Sequence, residues 1–334
     1  MFRPRSPVSA AGLVLLVLAL SAPYAHVNTH TLEVQTESCA RRIFERHTPQ
    51  GKLCYRECDK AVRLIPFVRQ AIRASCPPTN AHVIVLLLGD STLRNKWEYV
   101  KKMNGSTIVS AHCVRCGMTV CFSSHMYLRT PRTSGDLIES ILKDLPRSST
   151  YTVAVRVINF GLHHLHLYPA RNTTLTPVSE FEHLLQEDVI LTSRTLSAAR
   201  AWKHFTYFKL INNICTDNFV GEYASTLARW EAPVAHDSIR DDCYRHVQRR
   251  QNFTRIDSVD VCEKLVFNSA GVDTVNSMAL RVAKRSSHLR ILNDLKLTAD
   301  RCTCSFLGDG RHYPPLVPLW WQSFEEVIER CAAQ

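Results

Sequence analysis

The sequence predicts an α/β fold of three layers, with helices on both faces of a central, mainly parallel sheet and a cysteine-bearing extension ahead of it. Two observations carry this. Val83-Ile84-Val85-Leu86-Leu87-Leu88 is a continuous apolar run that stops at Gly89-Asp90-Ser91. Such a run, bounded by a turn signal, reads as a strand buried on both faces. Downstream, β-rich stretches alternate with helical periodicities, and that alternation builds parallel sheets with helices on both sides.

The elements follow in chain order. Arg3 and Arg5 precede an apolar segment from about Gly12 to Leu20, and Ser21-Ala22-Pro23-Tyr24-Ala25 offers small residues for cleavage. Residues 1–25 therefore read as an export signal, cleaved or kept as an anchor, because the core is shorter than the about 20 residues a bilayer span needs. Residues 26–80 form the extension, with Cys39, Cys54, Cys58 and Cys76 and one helix over Glu57 to Ser75 that Pro77 and Pro78 end. The main domain, residues 81–334, opens with the apolar strand and a helix over Leu93 to Lys102. Met118–Tyr127, Tyr151–Phe160, His204–Ile211 and Leu289–Leu292 are the further candidate strands. Helices are expected around Leu137–Leu145, over Phe181–Trp202, through Val272, Val275, Ala279 and Val282, and through Trp320, Phe324, Val327, Ile328 and Cys331.

Composition bounds the setting. Hydrophobic residues make up 45% and charged residues 21% of 334, as in a globular protein. Thirteen cysteines, all downstream of the signal, read as disulfides in an oxidising compartment, and the odd count leaves at least one thiol unpaired or paired between chains. Asn104-Gly105-Ser106, Asn172-Thr173-Thr174 and Asn252-Phe253-Thr254 are glycosylation sequons. These features predict the secretory pathway, either secretion or the Golgi lumen. Formal net charge is +11, and cleavage after Ala25 lowers it to +9. The basic residues are scattered and not interleaved with aromatics, so no nucleic-acid partner is expected. Membrane contact is expected only through an N-terminal anchor.

Ser91 sits where a central strand gives way to a helix. Ligands and nucleophiles collect at that edge of α/β sheets, and the helix amides there lack acceptors and can hold developing negative charge. A serine nucleophile needs a base, usually a histidine oriented by a carboxylate. Of the fifteen histidines, His312 in Asp309-Gly310-Arg311-His312 stands out. An acid and an imidazole three residues apart in a glycine-containing loop can share a hydrogen bond, and the segment precedes the last helix. Asn159-Phe160-Gly161 ends another strand at the same edge.

Together these motifs resemble the SGNH/GDSL hydrolases, in particular the PC-esterase branch of trichome-birefringence-like and Cas1-type glycan O-acetyltransferases and esterases. Gly89-Asp90-Ser91-Thr92-Leu93-Arg94-Asn95-Lys96-Trp97-Glu98 is similar to that branch's first block. Asn159-Phe160-Gly161 with His163-His164 is similar to its asparagine block, and Asp309-x-x-His312 with Pro315, Pro318 and Trp321 to its terminal block. The resemblance implies an SGNH-like fold with Ser91 as nucleophile, His312 as base and Asp309 as its orienter. It implies Asn159 as an oxyanion donor beside the Ser91 N–H, with Gly89, Asp90 and Gly161 around the site. Arg94 then braces the loop or an acyl or sugar group, or forms a structural salt bridge. Gly105 and Gly117 are both candidates for the middle oxyanion glycine. The implied activity is acyl transfer or ester hydrolysis, most often of acetyl groups, on a carbohydrate or glycoconjugate. No cofactor is implied beyond an acyl donor such as an acetyl thioester or an acetylated glycan. The triad is the same for transferase and esterase.

Other chemistry competes. Cys113-x-x-Cys116 with Cys121 and His125 has zinc-like spacing, although disulfides are the expected use in an exported chain. His163, His164 and His166 form a dense trio, and strand alternation would put His164 and His166 on one face, suited to a metal, a cleft wall or plain packing. Cys302-x-Cys304 is expected to staple the Asp309 loop. The alternative function is a catalytically inactive secreted glycan-binding or interaction protein that keeps the fold.

Overall fold

A computed structural model describes residues 76, 82–145, 150–166, 176–199, 202–231, 236–306 and 308–334. The expected signal, the extension apart from Cys76, the helix over Glu57 to Ser75 and the sequon at Asn172 lie outside the described residues. Among them, β1 (Val83–Gly89), β2 (Thr107–Ile108), β3 (Cys113–Cys116), β4 (Met118–Ser124), β5 (Val153–Asn159), β6 (Lys203–Lys209) and β7 (Arg290–Leu292) form one mixed sheet. Its order is β2-β3-β4-β1-β5-β6-β7. The five strands β4-β1-β5-β6-β7 run parallel, and the β2–β3 hairpin adds antiparallel to the outer side of β4. The α/β architecture with a mostly parallel sheet is thus present.

The helices are α1 (Ser91–Lys101), α2 (Thr133–Asp144), α3 (Val178–Ala199), α4 (Glu222–Glu231), α5 (His236–Gln251), α6 (Arg255–Val259), α7 (Ser269–Arg285), α8 (Leu295–Thr298) and α9 (Val317–Ala333). They cover both faces, and β1 shows why. All seven of its residues are buried. Val83, Val85 and Leu87 pack with Leu93 and Trp97 of α1 and Trp320, Trp321 and Phe324 of α9. Ile84, Leu86 and Leu88, pointing the other way, pack with Ile138, Leu185 and Val275 of α2, α3 and α7. Successive strand residues face opposite sides, so a strand between two helical layers must be apolar throughout.

The chain leaves β1 toward one layer through α1, and leaves β4 and β5 toward the other through α2 and α3. The loops therefore part at the carboxyl end of β1, which opens a crevice there. Ser91 stands at that point.

Several elements differ from the sequence expectation. The strand expected to reach Tyr127 stops at Ser124, and the chain turns there as the His125 N–H donates to the Gly89 carbonyl (2.9 Å). The β2–β3 hairpin was not expected. Its short, partly polar strands are fastened by Cys113–Cys121, whose residues face each other across β3 and β4, and by Cys76–Cys116. Those bonds use the zinc-like cysteines as disulfides. Cys215–Cys302 and Cys243–Cys262 are two further bridges, and Cys331 is a buried free thiol. Helices α4, α5 and α6 were also unassigned, in a segment rich in charged residues.

Candidate active site

The position of Ser91, the candidate nucleophile, is set by the end of β1. Gly89 has φ +154°, and a Cβ there would lie 2.3 Å from the Asn159 carbonyl oxygen, so only glycine lets β1 and β5 close together. Asp90 then caps α1. Its Oδ1 accepts from the Thr92 N–H (2.8 Å) and the Thr92 hydroxyl (2.7 Å), while Oδ2 is buried without a partner. Such a cap is worth about 1 kcal/mol to a helix. Ser91, half-buried, is the first residue of α1, and its amide belongs to the set that no helical carbonyl can satisfy.

His312 comes from the far end of the chain. Its Nε2 lies 2.7 Å from Ser91 Oγ, and its Nδ1 lies 2.5 Å from Asp309 Oδ2. The other oxygen of Asp309 accepts from the backbone amides of Arg311 (3.1 Å) and His312 (3.4 Å). Burial by itself would raise the Asp309 pKa. The bond and charge of His312, then the amide and guanidinium of Arg311, outweigh it and hold the carboxyl below its ordinary value. Asp309 is therefore ionised, and it fixes the imidazole with Nδ1–H toward the acid and Nε2 toward the serine.

The His312 loop is laced to the segment after β6. Gly310 has φ +58°, and a Cβ there would lie 2.2 Å from the Cys215 carbonyl oxygen. The Cys215 N–H donates to the Gly310 carbonyl (2.8 Å), and Cys215 is bonded to Cys302. Asn218 accepts from the Gly308 N–H (2.8 Å) through its carbonyl and donates from Nδ2 to the Cys302 carbonyl (2.7 Å). The expected staple is thus present as Cys215–Cys302, and Cys304 is also disulfide-bonded.

Asn159 ends β5, level with Gly89. Its Nδ2 donates to the Lys209 carbonyl (2.9 Å) across the seam to β6, and its Oδ1 is buried without a partner. An amide nitrogen carries two hydrogens, so one remains. Gly161, φ +148°, would place a Cβ 2.6 Å from Val275 and 2.8 Å from Ile211, so it packs the turn after β5 against α7. Gly105 and Gly117 both lie at the opposite edge of the sheet. Gly117 opens β4, and Gly105 follows α1 next to Cys76, the partner of Cys116.

The histidine trio does not alternate along a strand. His163 and His164 lie in a 3-10 turn over Leu162–His164. His164 accepts the Leu128 N–H (3.1 Å), and His166 bonds the Val261 carbonyl (2.5 Å). Burial, with His163 and His125 nearby, pushes His164 down to about 3, and burial pushes His166 down to about 4. Both are neutral packing groups. His163 faces the site. Its pKa is lowered by burial, opposed by Asp90, and lowered further by Arg311 and His312. Among the described residues, no cluster of three or more metal-ligating side chains occurs.

Arg94 is exposed. Its Nη2 reaches Ser124 Oγ (3.4 Å) and its guanidinium lies 5.8 Å from the Phe122 ring centre. It forms no salt bridge among the described residues. Behind His312, a cavity of about 10 Å³ is lined by Lys96, Asn212, Asp294 and Tyr313. Lys96 and Lys209 lie 3.7 and 3.4 Å from Asp294 Oδ2, and Oδ1 accepts from Trp320 Nε1 (2.7 Å). Burial and Lys209 bring the Lys96 pKa down to about 7 against the pull of Asp294 and Asp90. Sequence reasoning missed this cluster. A lysine and an aspartate 198 positions apart give no local signal.

No protein-family model matches this chain, and no curated protein sequence matches it.

Proposed function

We propose that this protein is a serine acyltransferase or acylesterase of the SGNH/GDSL type, in its PC-esterase branch, acting on O-acyl groups of glycans in the secretory pathway. One observation carries the reading: Ser91, His312 and Asp309 form a continuous hydrogen-bonded relay at the carboxyl edge of the sheet, across 221 residues of chain. The mostly parallel sheet with helices on both faces is compatible with that superfamily, and the disulfides fit an oxidising compartment.

In the proposed mechanism His312 Nε2 takes the Ser91 proton as Oγ attacks the acyl carbonyl carbon. The Asp309 carboxylate stabilises the imidazolium and stays ionised. The Ser91 N–H and the remaining Asn159 N–H hold the tetrahedral oxyanion. The C–O bond to the leaving alcohol then breaks, and His312 returns the proton to that oxygen. In the second half, a sugar hydroxyl or water gives its proton to His312 and attacks the acyl-enzyme, and Ser91 Oγ leaves protonated.

The test is labelling with a serine-directed fluorophosphonate, together with release of acetate from an acetylated chromogenic ester with and without an oligosaccharide acceptor. Labelling of the wild type and its loss in Ser91→Ala supports the reading. Absence of labelling in the folded wild type favours the inactive glycan-binding alternative.

A further inference from the structure

We infer that Asn212 is the positioning residue for the base: its amide grips the Arg311 carbonyl and so holds the imidazole of the next residue, His312, against Ser91. The inference rests on the acyl-transfer reading and names a residue on which that chemistry depends. Asn212 is buried and stands three residues beyond the end of β6. Its Nδ2 donates to the Arg311 carbonyl (3.4 Å), and its Oδ1 accepts from Lys209 Nζ (2.9 Å). Those partners force the orientation of the amide. An ammonium only donates and a carbonyl only accepts, so Oδ1 must face Lys209 and Nδ2 must face the loop. Asn212 and His312 line the same cavity of about 10 Å³, which has room for about one water. The imidazole is thus not packed solid from behind, and a directed bond does the holding.

Asn212 is itself anchored on both flanks. Lys209, fully buried, also donates to the Leu210 carbonyl (3.1 Å) and lies 3.4 Å from Asp294 Oδ2. Asp294 is fixed in turn by Trp320 of α9, whose Nε1 donates to Oδ1 (2.7 Å), and it faces Lys96 of α1 at 3.7 Å. On the other flank, Asn276 of α7 pairs with both backbone groups of Ile211. Its Oδ1 accepts from the Ile211 N–H (2.8 Å), and its Nδ2 donates to the Ile211 carbonyl (3.2 Å). A buried polar network with its bonds made is rigid, so a carbonyl held by it is held in one place. The same segment reaches the other half of the site, because the Lys209 carbonyl accepts from Asn159 Nδ2 (2.9 Å). One anchored stretch after β6 therefore sets both the base and the proposed oxyanion donor.

The experiment makes Asn212→Asp and Asn212→Ala in the full chain. Aspartate keeps the acceptor for Lys209 and removes the donor to Arg311. An added carboxylate would by itself favour the imidazolium, so a rate loss in Asn212→Asp reports displacement. We expect kcat for ester turnover, and the rate of fluorophosphonate labelling, to fall about 10²-fold in both variants. KM should change little, and the melting temperature of Asn212→Asp should hold. In crystals of Asn212→Asp, the separation of Ser91 Oγ and His312 Nε2 should open from 2.7 Å past hydrogen-bonding range while β6 and Asn159 stay in place. A wild-type kcat in Asn212→Asp overturns the inference. So does a loss carried in KM, a loss that follows the melting temperature in both variants, or an unchanged separation in the crystals. If the folded wild type neither labels nor turns over ester, the acyl-transfer reading fails, and the crystal separation still decides whether Asn212 holds His312.

Discussion

Asp309 uses both oxygens on its own loop, one on the imidazole and one on two backbone amides. Asp309→Asn keeps the shape but favours the wrong imidazole tautomer. Its kcat should fall by about 10⁴ while the melting temperature moves little, measured by ester turnover and thermal scanning. Ser91→Ala should fall at least as far. Asn159→Ala has two effects. It removes the donor to the Lys209 carbonyl as well as the one proposed for the oxyanion, so a rate loss of about 10²–10³ should come with a measurable drop in stability. At this scale the sequence was informative. Ser91 was legible because an apolar run ended on it, and His312 because an acid stood three residues before it. Arg311 and Lys96 were not legible, since what matters about each is a charge brought close by the fold.

At the scale of elements, α1 and the His312 loop hold the two ends of the relay. Asp90→Ala should destabilise the protein by about 1 kcal/mol or more, read from urea midpoints, because both of its bonds to Thr92 go. Gly310→Ala meets a backbone carbonyl at 2.2 Å in a left-handed conformation. It should displace the loop, costing turnover out of proportion to the 1–3 kcal/mol or so that overpacking usually costs. The long amphipathic helices and the apolar strands were legible from periodicity. The β2–β3 hairpin was not, because β2 is only two exposed residues long and β3 is fastened by disulfides to β4 and to Cys76 rather than marked by hydrophobic alternation. Helix α5 was missed for a related reason. Its stretch carries many charges and only a thin buried stripe, Ile239, Cys243 and Val247.

For the whole molecule, two fully buried imidazoles set an acid limit. The unfolded chain binds protons at His164 and His166 below their ordinary value, while the folded protein does so only near pH 3 and 4. The unfolded state therefore holds more protons between those limits, and stability must fall as pH drops from 6.5 toward 4. The loss is about 2 kcal/mol per imidazole at pH 5. Lys96 acts in the same direction on the alkaline side, adding stability as pH rises from about 7 toward its ordinary value. Denaturant midpoints across this range should show both slopes, and His166→Gln should flatten the acidic one. Asn104 and Asn252, both exposed, should carry endoglycosidase-sensitive glycans when the chain is made in a secretory host.

The bridge between Cys215 and Cys302 also ties chemistry to biosynthesis. The candidate nucleophile lies near the start of the folded unit, whereas its proposed proton acceptor is made 221 positions later, in a loop laced to that covalent tie. A nascent or reduced chain would thus present a serine with no partner to activate it. Protein produced in a reducing cytosol should fold around the same sheet yet gain fluorophosphonate reactivity only on oxidation.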